Sequence, residues 1–150
     1  MYLILLKYLQ EVTGFQSLSN QFKPDEYFQR YPKVRGAYDA DYRNFTLSGQ
    51  QTDALNNIMM FAKARQIPLV FVNLPLTQIY LDETRAAKEK QFRNYLERFA
   101  RSRSFTVHDL SQRWLHQHAY FTDPSHLNRD GAAAVANQLG KRLTLPSAQY

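Results

Sequence analysis

The stretch Tyr120-Phe121-Thr122-Asp123-Pro124-Ser125-His126-Leu127-Asn128 holds the residue types best suited to chemistry. A histidine serving as a general base needs a carboxylate on one ring nitrogen, which fixes its tautomer and stabilises the imidazolium that forms. Asp123 and His126, three residues apart in one tight loop, supply that partner locally. Pro124 restricts Asp123 to extended backbone and stiffens the loop. Asn128 is suited to cap a following helix, which sets His126 just before it, at the rim of a sheet. The spacing alone also fits an ordinary helix start, because Asp-Pro-Ser turns and caps well without any catalytic duty.

The remaining candidates are weaker. His116 and His118, in His-Gln-His, ligate a metal only if partners arrive from elsewhere, and a surface loop accounts for them. His108 lies on a strand and faces away from Asp109, since side chains alternate, so it reads as a buried structural histidine. Asn73, ending an apolar run, is a candidate oxyanion donor. Trp114 covers a sheet edge or walls a ligand pocket. Ser17 and Ser19 sit in a polar stretch, and Ser48 opens a capping box with Gln51. The chain has no cysteine, which excludes disulfides, thiolate metal sites and cysteine nucleophiles.

These side chains must be positioned by regular elements. Leu55, Ile58, Met59 and Ala62 recur at helical spacing after Ser48, and Gln66 and Pro68 close that helix. Leu69-Val70-Phe71-Val72 is short, continuous and β-branched, as in a parallel strand covered on both faces, and Pro75 ends it. A second helix is expected over 83–102, with Phe92, Tyr95, Leu96 and Phe99 on one face. Phe105–Leu110 forms the next strand, and a last helix runs from about Asn128 to Leu143. Strands alternating with amphipathic helices indicate an α/β domain with a parallel sheet. Leu69–Asn73 and Phe105–Asp109 should be parallel neighbours in it. Two strands are too few for a complete sheet of this kind.

Upstream, residues 14–46 are rich in turn formers and carry Tyr27, Phe28, Tyr31, Tyr38, Tyr42 and Phe45. That length of connection reads as an irregular surface segment pinned by its aromatic side chains. Met1–Leu9 is apolar but interrupted by Lys7, too short to span a bilayer, and reads as a buried strand or helix end.

Across its 150 residues, hydrophobic types make up 44% and charged types 21%, a globular balance rather than a disordered one. The net charge of +6 could attract phosphate or anionic lipid. The cations are scattered among acids, however, and no nucleic-acid-binding signature accompanies them, so no nucleic-acid partner is expected.

The segment FTDPSHLNRDGAAAVANQL resembles the final block of the SGNH (GDSL-like) hydrolases, in which Asp-x-x-His precedes the last helix. LVFVNLPL resembles that family's late strand ending in proline, and FTVHDL the following strand with an acid at its end. The wording is also similar to a bacterial SGNH-like family akin to D-alanyl-transfer and polysaccharide O-acetylation proteins of the cell envelope. The resemblance, over roughly residues 45–145, implies a three-layer α/β/α, flavodoxin-like fold. It further implies His126 as general base, Asp123 as its orienting carboxylate, an ester or acylated-polysaccharide substrate, and no metal or organic cofactor.

In that family the nucleophilic serine lies in a Gly-Asp-Ser-type block after the first strand. An oxyanion-hole glycine and asparagine follow in two further blocks. None of these is recognisable here, and Asn73 does not match the family's asparagine. The expectation is therefore the carboxy-terminal part of such a domain over 47–150, preceded by an irregular segment at 1–46, and inactive alone. The alternative is a non-catalytic pseudoenzyme or polysaccharide-binding module using the aromatic stretch 27–45.

Overall fold

The computed structural model describes residues 18–34, 42, 45–103 and 105–141. Met1–Leu9, Ser17, Tyr38 and the proposed helix end at Leu143 lie outside the described residues. The chain is a mixed α/β structure. Its described elements run α1 (Pro24–Arg30), α2 (Gln50–Ala64), β1 (Val70–Asn73), α3 (Glu83–Arg103), β2 (Thr106–Asp109), a short 3-10 helix (His118–Tyr120) and α4 (Arg129–Gly140).

β1 and β2 pair in parallel, with Val70 opposite Thr106 and Asn73 opposite Asp109. The expected pairing is thus present. Burial differs from expectation: every residue of β1 is only half-buried. A strand of β-branched residues reaches full burial when strands flank it on both sides and helices cover both faces, and β1 has one neighbour among the described residues. His108 is likewise half-buried rather than fully enclosed, although its Nε2 is shielded and without a hydrogen-bond partner.

The helix boundaries follow local chemistry. α2 begins at Gln50 with Gly49 as its cap residue at φ 106°, and no side chain caps it. The anticipated Ser48 cap is absent: Gly49 takes the cap position, and Thr46 Oγ1 lies 3.1 Å from Ser48 Oγ while accepting the Ser48 backbone N–H at 3.1 Å. At the other end Gln66 adopts φ 57°, while Ile67 N donates to Ala62 O and Gln66 N to Lys63 O. That pair of reversed bonds is a Schellman closure, which satisfies two otherwise orphaned carbonyls. α3 begins where Asp82 Oδ1 accepts the Arg85 backbone N–H at 2.8 Å. α1 is a helix inside the segment read as irregular; Pro24 at its start suits a position with no intrahelical N–H bond.

Among the described residues, Leu96, Leu110, Phe121, Val135, Ala62 and Phe22 are buried apolar side chains. Phe71 meets Phe92 edge-on at 6.2 Å, fixing α3 against the sheet. α4 lies against the 3-10 helix at Gly131, where a Cβ would run into the carbonyl oxygen of Tyr120 and come within 2.8 Å of Leu127 Cδ2.

This contact sets a prediction. In an open helix, Gly→Ala gains up to about 1 kcal/mol of helix propensity. Here the obstacle is backbone, which cannot swing aside, and overpacking of that kind costs roughly 1–3 kcal/mol. Gly131→Ala is therefore expected to lower the melting temperature. An unchanged or raised value in thermal unfolding would contradict the close approach of α4 to Tyr120.

Candidate functional site

After β2 the chain turns through Ser111–His116 into the 3-10 helix, then enters a loop pinched shut by a bridge between Phe121 and Leu127. Thr122 N donates to His126 O at 2.9 Å, so the loop is a tight reversal with Asp123, Pro124 and Ser125 at its turn. Its two ends rest on Asn128. The Asn128 Oδ1 accepts the N–H groups of Asp130 and Gly131, each at 3.0 Å, and so caps α4 as the sequence implies. Its Nδ2 donates to Ala119 O at 2.8 Å, Asn20 O at 3.2 Å and Phe121 O at 3.3 Å.

The amino-terminal segment joins this arrangement. Phe22 N donates to Phe121 O at 2.7 Å, and Arg129 N to Leu18 O at 2.8 Å. Thus residues 18–22 run along the base of the loop.

Asp123 and His126 are brought together. The Asp123 Oδ1 accepts the backbone N–H of Ser125 at 2.8 Å and of His126 at 2.9 Å. His126 Nδ1 lies 2.8 Å from Oδ2 and 3.0 Å from Oδ1 of the same carboxylate. One carboxylate therefore shapes the turn and holds the ring. With Nδ1 so engaged, Nε2 has no hydrogen-bond partner among the described residues and points the ring's second nitrogen outward. The His126 side chain is 73% exposed and that of Asp123 40% exposed, so the pair adds little to stability; exposed pairs contribute about 0–1 kcal/mol.

Ser125 Oγ is 3.3 Å from His126 Nδ1, the nitrogen that the carboxylate already occupies. A nucleophile activated by this histidine would have to approach the opposite nitrogen. Ser111 is buried with its Oγ unpaired, and Ser48 is tied to Thr46, so neither is hydrogen-bonded to the ring.

The loop is docked on the carboxyl ends of the strands. Thr77, fully buried four residues beyond β1, donates its hydroxyl to Pro124 O at 2.6 Å and accepts the Tyr80 N–H at 3.1 Å. Leu76 N donates to Ser111 O, and Leu110 N to Asn73 O. Asn73 Nδ2 donates to Asp109 Oδ1 at 3.1 Å, tying the strand ends together. That bond engages the amide considered as an oxyanion donor.

Thr77 is a positioning residue that the sequence reading missed, and no local pattern around it signals its 47-residue reach to Pro124. Of the other histidines, His116 is exposed, while His118 rests edge-on against Phe22 at 5.5 Å with its Nε2 enclosed and unpaired. Trp114 packs edge-on against Tyr120 at 5.2 Å. No group of three or more metal-ligating side chains occurs among the described residues.

A second polar cluster lies on α3. Tyr42 donates to Glu89 Oε1 at 3.0 Å, Tyr80 donates to Tyr42 at 3.3 Å, and Arg93 stands 3.8 Å from Asp109. Burial raises the Glu89 carboxyl above the usual range, against the pull of Tyr42 and Arg93, with Asp109 adding to the rise. Burial also pushes the Tyr42 phenol up, assisted by Tyr80 and Glu89. Among the expected aromatic residues, Tyr27 contacts Phe22, Phe28 and Tyr31, at 5.6, 5.5 and 5.0 Å. These rings pack on one another.

Comparison with protein-family models, curated proteins and solved structures finds no match to this chain.

The Glu89 cluster predicts a pH effect with a definite sign. A carboxyl raised on folding binds its proton more tightly in the folded state. Stability therefore falls as pH rises from about 4.5 through the raised folded value, where the folded chain alone remains protonated. Glu89→Gln keeps an acceptor for Tyr42 and removes this titration. Chemical unfolding across that range should give a flatter stability profile for the variant; identical slopes would refute the assignment.

Proposed function

We propose that this chain is the carboxy-terminal portion of an SGNH-like serine esterase or O-acyltransferase, belonging to a three-layer α/β/α domain with a parallel sheet. The observation that carries this reading is the carboxylate of Asp123 on Nδ1 of His126, with Nε2 left outward. The loop's attachment to the carboxyl ends of a parallel strand pair supports it, since ligands of open α/β sheets bind at that edge.

In the complete protein a serine hydroxyl would lie at His126 Nε2. As its oxygen attacks an ester carbonyl, Nε2 takes the hydroxyl proton, and Asp123 stabilises the imidazolium. The tetrahedral species collapses, the leaving alcohol receives the proton from Nε2, and an acyl-enzyme remains. Water or a polysaccharide hydroxyl then attacks the acyl group by the same route in reverse. The ester substrate class and the acceptor belong to this proposal. In this chain nothing among the described residues stands at Nε2, so Asp123 and His126 alone keep at most the residual effects of a polar site.

Two measurements test the reading. Nitrogen-15 NMR of the histidine rings should find neutral His126 protonated on Nδ1, and Asp123→Asn should shift it towards the other tautomer. An Nε2-protonated ring in the wild type would remove the basis for the assignment. Second, the chain should turn over an activated short-chain acyl ester at the same slow rate as His126→Ala, with no labelling by a serine-directed phosphonate. Fast turnover lost in His126→Ala, with label on Ser125 or another serine of this chain, would show that the chain carries its own nucleophile.

A further inference from the structure

Of the large apolar side chains left in water, Ile58, Met60, Phe61 and Ile67 lie on or just beyond α2, while Leu18, Phe28 and Leu74 lie elsewhere. Met60 is 67% exposed, Phe61 55% and Ile67 50%, all at the carboxyl end of α2 or just beyond it. Because α2 leads directly into β1, and α3 returns from the carboxyl end of β1 to the amino end of β2, both helices end at the amino ends of the strands. There they enclose an open hollow of about 600 Å³, floored by Met59, Leu69, Val70 and Phe105. Lys63, Ser102 and Arg103 stand on its wall.

The charge of this pole has one sign. Residues 59–70 and 99–106 include Lys63, Arg65, Arg101 and Arg103 and no acid. Lys63, Arg65 and Arg103 make no ion pair among the described residues, while Arg101 reaches Glu97 only at 4.0 Å. The Arg65 guanidinium lies 3.7 Å from the centre of the Phe61 ring, so charge and apolar surface occupy the same patch. A cation over a ring face is attracted to it without surrendering its remaining donors.

We infer that this pole is a docking surface for an anionic lipid bilayer. A surface combining exposed Met, Ile and Phe with unpaired Lys and Arg matches the interface of such a bilayer, which accepts apolar side chains below the headgroups and cations at their level. A second copy of the same face would set Lys63, Arg65 and Arg103 against their own kind, which disfavours self-association. A nucleic acid would satisfy the cations but leave Met60 and Ile67 without an apolar partner. The inference uses neither Asp123 nor His126. Their loop sits at the opposite, carboxyl end of the strands, and docking would leave it facing away from the lipid. No helix among the described residues is long and apolar enough to cross a membrane.

Co-sedimentation of the full 150-residue chain with vesicles tests this. Phosphatidylcholine vesicles containing an equal share of phosphatidylglycerol should bind the chain at low salt, and pure phosphatidylcholine vesicles should not. Each cation near an anionic leaflet is worth about a fivefold gain in partitioning. The doubly reversed variant Lys63→Glu/Arg103→Glu should therefore bind at least about tenfold more weakly, and Met60→Ser/Ile67→Ser should also bind more weakly. All of these residues are exposed or line the open hollow, and circular dichroism checks that the variants keep the wild-type fold. Equal binding to neutral vesicles, or binding unaffected by both double variants, would overturn the inference. So would a dimer in light scattering that Met60→Ser/Ile67→Ser converts to monomer, or heparin affinity that rivals vesicle binding and ignores Met60→Ser/Ile67→Ser.

Discussion

Asn128 is the side chain on which the described structure most depends. It is 2% exposed; its amide oxygen accepts the two N–H groups that start α4, and its two N–H hydrogens are shared among the carbonyls of Ala119, Asn20 and Phe121. A helix N-terminus leaves N–H groups without intrahelical partners, and a loop leaves carbonyls likewise. Burying either without a partner costs about 1–3 kcal/mol per group. One amide settles both debts, because one end of it accepts and the other donates. No carboxylate could replace it, having no donor for the three carbonyls. The loop that carries Asp123 and His126 is thus suspended between Phe121, fully buried, and a helix cap.

The sheet alone could not hold that loop. Two strands of four residues, each half-exposed, fall below what stands by itself in water. Side chains compensate at the strand ends, where the Asn73 amide bonds the Asp109 carboxylate and Asp109 also accepts the Ser111 N–H. From there Thr77 carries the connection to Pro124. Order in this molecule therefore passes through turns and polar contacts between loops as much as through the ladder. The chain at 18–22 belongs to the same network, through Phe22 and the carbonyls of Leu18 and Asn20.

The readable parts of the sequence were those in which local rules agree. The stripe Phe92, Leu96, Phe99 specified α3, the β-branched run specified β1, and the short Asp123–His126 separation allowed their contact without distant help. What escaped notice was governed by distance or by competition. Thr77 bonds a residue remote in sequence, so no window around it reveals the bond. Ser48 fits a capping box, but the nearby Thr46 hydroxyl captures its backbone, and Gly49 takes the cap position in a conformation few other residues adopt. α1 is a single short helix, too brief to display a periodic stripe, with Tyr27 packed edge-on against Phe22. The burial expected for β1 rests on neighbours that lie beyond any local pattern.

Exposure decides what the Asp123–His126 pair can achieve. In water, two unit charges 4 Å apart attract by about 1 kcal/mol, and at the lower effective dielectric of a protein surface by about 4 kcal/mol. With its side chain 73% exposed, His126 sits near the solvent-screened limit. The same geometry under a cover that excludes water would stabilise the imidazolium several-fold more, without any atom of the pair moving. Under the proposed function, the surface that brings a serine to Nε2 must therefore also dry the ring. Orientation is already built here, by the turn through Pro124 and its anchor on Thr77. The dielectric is not, and orientation without it leaves the pair in solvent.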